Sequence, residues 1–376
     1  MPDDGADGAR AARVDAALRA AARDDGFVPY DRFSEIALYQ PGAGFYERPD
    51  PPLGTAGEFY TAAHVSPLFG RTIARRILAV RRALGGPGPF AVVEVGPGDG
   101  TLAATLLEEL ARAPPVDRPT DYRLVERSGP LGERAARRAG PAAEAAGVRL
   151  SSRPSVGADG PITGVVLANE FLDAQPFRRI RRTERGWVEL GVRRAGDRWI
   201  ETEDGPPGAV PGAPLPARAE PGTVFEFSPA AEGFVREVAD HLAGGVALLL
   251  DYGLGESELL AGHPDGTLAA VRQHRVVPDP RAEPGTADLS VFVDLDRIRA
   301  VARASGLVAL GDRSQAEALG AWGFSALFEE AQREAGSAEA EVRLRLAAKN
   351  LLFGFDRFRA LEFAAPASAP ALAALR

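Results

Sequence analysis

The chain contains no cysteine, which excludes disulfides, thiolate metal ligands and a cysteine nucleophile together. Its four histidines, His64, His241, His263 and His274, are scattered without His-x-x-x-His or His-Glu-x-x-His spacing, so no zinc site is expected from them. Long apolar runs are missing as well. No stretch approaches the roughly 20 residues of a membrane span, and the opening Met1-Pro2-Asp3-Asp4-Gly5 is too acidic for a signal or transit peptide. A cytoplasmic protein without membrane insertion is the expectation. Lysine occurs once, at Lys349, and the net charge is −8, which disfavours broad electrostatic attraction to nucleic acid. The one dense basic stretch, Arg178 to Arg185, reads first as a solvated edge strand protected by charge and second as a docking patch for an acidic or nucleic-acid partner.

What is present is concentrated in Val92-Val93-Glu94-Val95-Gly96-Pro97-Gly98-Asp99-Gly100-Thr101-Leu102. An apolar strand runs into three alternating glycines and then into a helix, predicted from Thr101 to Arg112. Glycine permits φ > 0 and removes the Cβ atoms that keep a ligand off the main chain, and the helix start offers free N–H groups. A dinucleotide turn would read Gly-x-Gly-x-x-Gly. This one reads Glu-x-Gly-x-Gly-x-Gly, and Pro97 removes a donor that a pyrophosphate would use. A cofactor without phosphate fits better, and Glu94 can accept from a cationic amino group. The cofactor residues expected here are Glu94, Gly96, Pro97, Gly98, Asp99 and Gly100. Glu126, at the end of the next strand, is placed to accept the two hydroxyls of a ribose.

A βα series continues the pattern: strand Ala91–Val95, strand Tyr122–Val125, a helix over 131–146 and strand Ile162–Leu167. Such alternation predicts a mostly parallel α/β sheet with helices on both faces. Strand pairs around Trp187 and Trp199 read as a β-rich insertion. The expected organisation is an N-terminal helical and lid region over 1–88, then a core over 89–323. Within that core lie an insertion at 178–224 and an accessory segment at 254–290, and a helical tail follows over 324–376. Leu167-Ala168-Asn169-Glu170-Phe171-Leu172-Asp173 sits at the carboxyl end of a parallel strand, where open α/β sheets gather reacting groups. Asn169, Glu170 and Asp173 are the candidate catalytic residues, Asn169 also facing the cofactor. A carboxylate there can hold the charge of a guanidinium acceptor away from its attacking nitrogen.

Taken in order, Gly44-Phe45-Tyr46, Gly57-Glu58-Phe59-Tyr60-Thr61, Glu94-Val95-Gly96-Pro97-Gly98, Asn169-Glu170-Phe171-Leu172-Asp173, Asp251-Tyr252-Gly253 and Gly266-Thr267-Leu268 resemble the MidA/NDUFAF family of class I methyltransferases. The resemblance spans roughly Tyr30 to Gly320. It implies a Rossmann-like core, S-adenosyl-L-methionine as cofactor, and methylation of a protein arginine, in the mitochondrial members on a respiratory-complex subunit. The chain departs from the family at His64, where an acid is usual. Two other readings compete. One is a non-enzymatic assembly factor that binds the cofactor without turnover; the other is an NAD-dependent oxidoreductase.

Overall fold

The computed structural model describes residues 4–48, 61–86, 88–208 and 210–375; the Gly57-Glu58-Phe59-Tyr60 motif lies outside them. The chain opens with helix α1 (Asp4–Ala21), the two-residue strand β1 (Val28–Pro29) and α2 (Tyr30–Tyr39), followed by the single turn α3 (Ala62–Val65) and α4 (Pro67–Ala83). Ser66 starts α4 by accepting the Leu68 N–H, with Pro67 at the first helical position. Then come β2 (Ala91–Val95), α5 (Thr101–Ala111), β3 (Asp121–Val125), α6 (Gly129–Ala146), β4 (Arg149–Arg153) and β5 (Ile162–Asn169). A second sheet interrupts with β6 (Arg178–Thr183), β7 (Gly186–Ala195), β8 (Arg198–Gly208) and β9 (Val224–Phe227). Through α7 (Pro229–His241) the chain returns as β10 (Leu242–Leu254), and α8 (Glu256–Gly262) leads to β11 (Ala269–Arg272), β12 (Arg275–Val276), β13 (Asp288–Ser290) and β14 (Val293–Asp294). Then follow α9 (Leu295–Ala304), β15 (Val308–Ser314), α10 (Gln315–Ala321), α11 (Phe324–Glu334), α12 (Ala338–Phe353), β16 (Phe358–Ala364) and the short α13 (Ala369–Leu372).

The main sheet runs in the order β4-β3-β2-β5-β10-β16-β15. Its first five strands are parallel, and β16 lies antiparallel between β10 and β15. Strands such as β2, buried at every residue, are apolar on both faces because helices cover both. On one side Val92, Tyr122, Leu124, Leu167 and Leu248 pack with α4, α5 and α6. On the other, Val93, Val166, Ala168 and Leu249 pack with α7 and α9. The expected doubly wound architecture is therefore present. The chain order of the strands reverses between β2 and β5, and a crevice opens at the carboxyl ends beside such a reversal.

Three expectations need correction. The tail is not helical throughout: its residues 358–364 form β16, a strand inside the main sheet. The N-terminal region does not end as a unit at 88, because Ala62, Leu68, Phe69, Ile73 and Ile77 belong to the main core. Finally, the basic stretch is no edge strand. β6 lies between β7 and β9, and Arg178, Arg179 and Arg181 are paired with Glu189, Glu226 and Glu203 at 2.7, 2.9 and 3.0 Å.

The inserted sheet joins the N-terminal helices rather than standing apart. Val14 and Leu18 of α1, Phe33 of α2, Leu190 and Val192 of β7 and Leu289 of β13 share one apolar cluster. That cluster, with the Gly44-Phe45-Tyr46 segment folded into it, roofs the crevice.

Candidate active site

Gly96, Gly98 and Gly100 take φ of 67°, 56° and 81°, the left-handed region in which a side chain is strained. Space enforces glycine at two of them. A Cβ at Gly96 would stand 2.8 Å from the Phe171 ring, and one at Gly100 would stand 2.6 Å from the Ala135 backbone. The Gly96 N–H donates to the Val125 carbonyl at 2.9 Å, tying the turn to β3. Asp99 closes the turn onto α5 by accepting the Thr101 N–H at 3.0 Å. It also faces His64 Nε2 at 3.2 Å and pairs with Arg138. Although burial alone would raise the Asp99 carboxyl, the contacts with His64 and Thr101 hold it well below the usual range. His64 Nδ1 accepts the Thr61 N–H at 3.1 Å, so the ring donates from Nε2 to Asp99. The residue that departs from the family pattern thus pins α3 to the glycine turn.

A cavity of about 350 Å³ opens at the strand-order reversal. Of the residues expected from sequence, Glu94, Gly96, Pro97, Gly98, Asp99, Glu126, Asn169 and Glu170 line it. Gly100 and Asp173 are not part of the wall. Gly100 serves the close packing of α5 on α6, and Asp173 is buried behind, its backbone carbonyl accepting from Val291 at 3.1 Å. Several lining residues escaped sequence reading: Pro154, Ser155 and Val156 after β4, Tyr39, Tyr46, Phe171 and Phe234. Tyr39 and Tyr46 stack at 5.5 Å, and Phe171 meets Phe234 edge-on at 4.9 Å. Tyr46 and Phe171 alone carried a signal, through their places in the glycine-aromatic loop and the Asn-Glu-Phe motif.

Glu170 holds an unusual position. Its φ is 50°, without the excuse of glycine. Its N–H donates to the Leu250 carbonyl at 2.8 Å, and its Oε1 accepts the Ala62 N–H at 2.9 Å, at the start of α3. One residue therefore joins the ends of β5 and β10, through its N–H, to α3, through its carboxyl. Beside it, Asn169 Oδ1 is buried without a hydrogen-bond partner among the described residues, an acceptor that a bound donor would satisfy.

The carboxyls around the cavity share one electrostatic feature. Glu94 accepts from the Tyr122 hydroxyl at 2.6 Å, Glu126 from the Ser128 N–H at 2.8 Å and Asp288 from the Tyr46 hydroxyl at 2.7 Å. Asp251 accepts the N–H groups of Phe171 and Leu172 at 3.0 and 2.7 Å, and Asp173 meets the Tyr252 hydroxyl. All these donors are neutral. Burial accordingly pushes Glu94 and Glu126 up to about 7, Glu170 up to about 8 and Asp288 up to about 6. Asp173 and Asp251 are raised by burial and by neighbouring carboxyls. A cation entering here would relieve the penalty, whereas a pyrophosphate would add to it.

A cationic nucleoside lying on bare main chain, with acids at the ends of β2 and β3, is what class I methyltransferases bind at this point of the sheet. The residues fit that cofactor: glycines where Cβ atoms would intrude, carboxyls in want of positive charge and an unsatisfied Asn169 oxygen.

Comparison with known proteins agrees. Residues 72–312 match the family model "Putative S-adenosyl-L-methionine-dependent methyltransferase", and the chain belongs to that family. A Burkholderia thailandensis crystal structure with bound S-adenosyl-homocysteine superposes with a TM-score of 0.87 at 30% identity, covering 99% of this chain and 97% of that one. The Drosophila melanogaster "Protein arginine methyltransferase NDUFAF7 homolog, mitochondrial" is 30% identical over 319 residues, 77% of this chain and 70% of its own. The human protein arginine methyltransferase NDUFAF7 is 28% identical over 306 residues, 75% of this chain and 67% of its own. The cofactor is S-adenosyl-L-methionine, and the chain is a methyltransferase.

Proposed function

We propose that this methyltransferase acts on an arginine side chain of a protein. The observation that carries the reading is the group of buried carboxyls Glu170, Asp173, Asp251 and Asp288, held among the described residues by the neutral donors given above, next to the cofactor cavity and the Tyr39–Tyr46 stack. The naming of its relatives as protein arginine methyltransferases supports it. When bound, S-adenosylmethionine supplies a methyl group on a sulfonium. Glu94, Gly96, Pro97, Gly98, Asp99 and Glu126 hold the cofactor in this reading, with Gly100 shaping the turn from outside the cavity.

A guanidinium delocalises its charge and keeps it above pH 12 or so, so its nitrogens are poor nucleophiles. Glu170 draws the charge to the nitrogens that do not react and orients the attacking one. As the nitrogen gains a methyl group, its proton needs a base, and Glu170, raised by burial in the free protein and ionised by the entering cation, is the carboxylate placed to accept it. Asn169 orients cofactor and acceptor together, while Asp173 acts from behind the wall on the charge of the group. Incubation with isotope-labelled S-adenosylmethionine and arginine-containing protein extracts, followed by mass spectrometry, tests this. Label on arginine is expected; label confined to another residue type, or to RNA, would overturn the arginine assignment. Cofactor binding without any transfer would favour the assembly-factor reading. The oxidoreductase reading is disfavoured by Pro97 and by the acids that a pyrophosphate would face.

A further inference from the structure

Helix α12 has two faces of unlike character. Ala348 and Leu351 are buried, Leu344 and Leu352 pack on the main core, and Gln315 donates to the Leu351 carbonyl at 3.2 Å. That face is accounted for by its own chain. On the opposite face Val342, Leu346 and Phe353 are 56%, 61% and 75% exposed. They are not randomly placed. With the exposed Glu339 and Lys349 they occupy positions 339, 342, 346, 349 and 353, a 3-4-3-4 spacing that keeps all five within about 80° on a helix. This is the seam spacing of a coiled coil. A surface helix of a monomer carries polar residues along such a line.

The order of residues on the seam decides the partner. We infer that it receives the same helix of a second copy of this chain, antiparallel about a two-fold axis. In that arrangement Val342 of each copy meets Leu346 of the other, and Glu339 of each meets Lys349 of the other, so two apolar layers lie between two ion pairs. Sliding the register by one heptad would set Leu346 against Lys349. Pairing in parallel would set Glu339 on Glu339 and Lys349 on Lys349, which is repulsive. Arg343 and Arg345 flank the centre, and Arg345 is already neutralised by Glu341 of its own helix at 2.5 Å. A lone helix with two apolar layers would not associate, since it would have to be ordered first. Here α12 is held by its own core, so that cost is already met before the copies meet.

The test uses the chain's single lysine. Equal amounts of unlabelled and ¹⁵N-labelled full-length protein are mixed, treated with a zero-length carboxyl-to-amine cross-linker and digested. Within one helix Glu339 and Lys349 stand about 15 Å apart, too far for a zero-length bond, so a Glu339–Lys349 cross-link joining one labelled and one unlabelled peptide is expected. Light scattering on a concentration series is expected to give the mass of a dimer. Leu346→Glu should weaken it at least about tenfold while the thermal melt and S-adenosylmethionine affinity stay unchanged. Glu339→Lys should also weaken it, and the double reversal Glu339→Lys with Lys349→Glu should restore it. A protein monomeric at all concentrations, a dimer indifferent to Leu346→Glu, or a double reversal that fails to recover would overturn the assignment.

Discussion

At the scale of single residues, the glycine turn and Glu170 make separable demands. Gly96→Ala keeps a small side chain but forces a Cβ into the Phe171 ring at φ 67°, a strain of about 1–2 kcal/mol from the backbone alone. Affinity for S-adenosylmethionine should fall at least about tenfold in calorimetry, with the fold retained by circular dichroism. Glu170 distinguishes chemistry from architecture. In Glu170→Gln the amide oxygen can still accept the Ala62 N–H, so α3 stays docked and cofactor affinity holds, while methyl transfer should drop by about a hundredfold or more. Glu170→Ala loses both the transfer and the bond to α3, and should also lower the melting temperature. Equal melting temperatures in the two variants would show that the contact with Ala62 does not hold α3 in place.

Among the elements, β16 is the one whose removal is most informative. It fills the gap between β10 and β15, and its Glu362 meets the buried Arg76 at 2.6 Å. A chain ending at residue 357 would leave β10 without its antiparallel neighbour and Arg76 buried without its acid, a loss on the order of 3–5 kcal/mol for the charge alone. Such a protein should lack a cooperative urea transition. Sequence did not disclose this strand, because Phe358 to Ala364 follows a helical stretch and carries a buried acid whose main partner, Arg76, lies 286 residues away. Polar β4, with its pattern of exposed and half-buried residues, was equally hidden, and with it Pro154, Ser155 and Val156. The glycine turn was legible for the opposite reason: close backbone approach needs one residue type at fixed spacing, and no distant contact has to be known. Tyr39 and the Phe171–Phe234 pair lie between these cases, since their residue types are ordinary and only packing brings them to the cavity.

For the whole molecule, the balance between burial and charge sets how pH acts. Glu94, Glu126 and Glu170 are raised from 4.5 to about 7, 7 and 8. Groups raised on folding contribute stability that is complete below their unfolded values and is lost as pH rises through the folded ones. The cofactor-free protein should therefore melt at progressively lower temperature between pH 5 and pH 8. Asp99 has the opposite sign, being held low, but its contribution is lost only in acid, outside this window. A cation in the cavity favours the ionised carboxyls, so binding must strengthen over the range in which the free protein weakens. For one carboxyl that titrates near 7 when free and remains ionised when bound, affinity for S-adenosylmethionine should rise about tenfold from pH 6 to pH 8. S-adenosylhomocysteine lacks the sulfonium charge and should show a shallower rise, and NADH, with its pyrophosphate, none. Thermal shifts with the three compounds across pH 6 to 8.5 measure this directly. A rise of equal slope for S-adenosylmethionine and S-adenosylhomocysteine would place the titrating carboxyls away from the sulfonium, and a flat profile for both would mean that they are already paired.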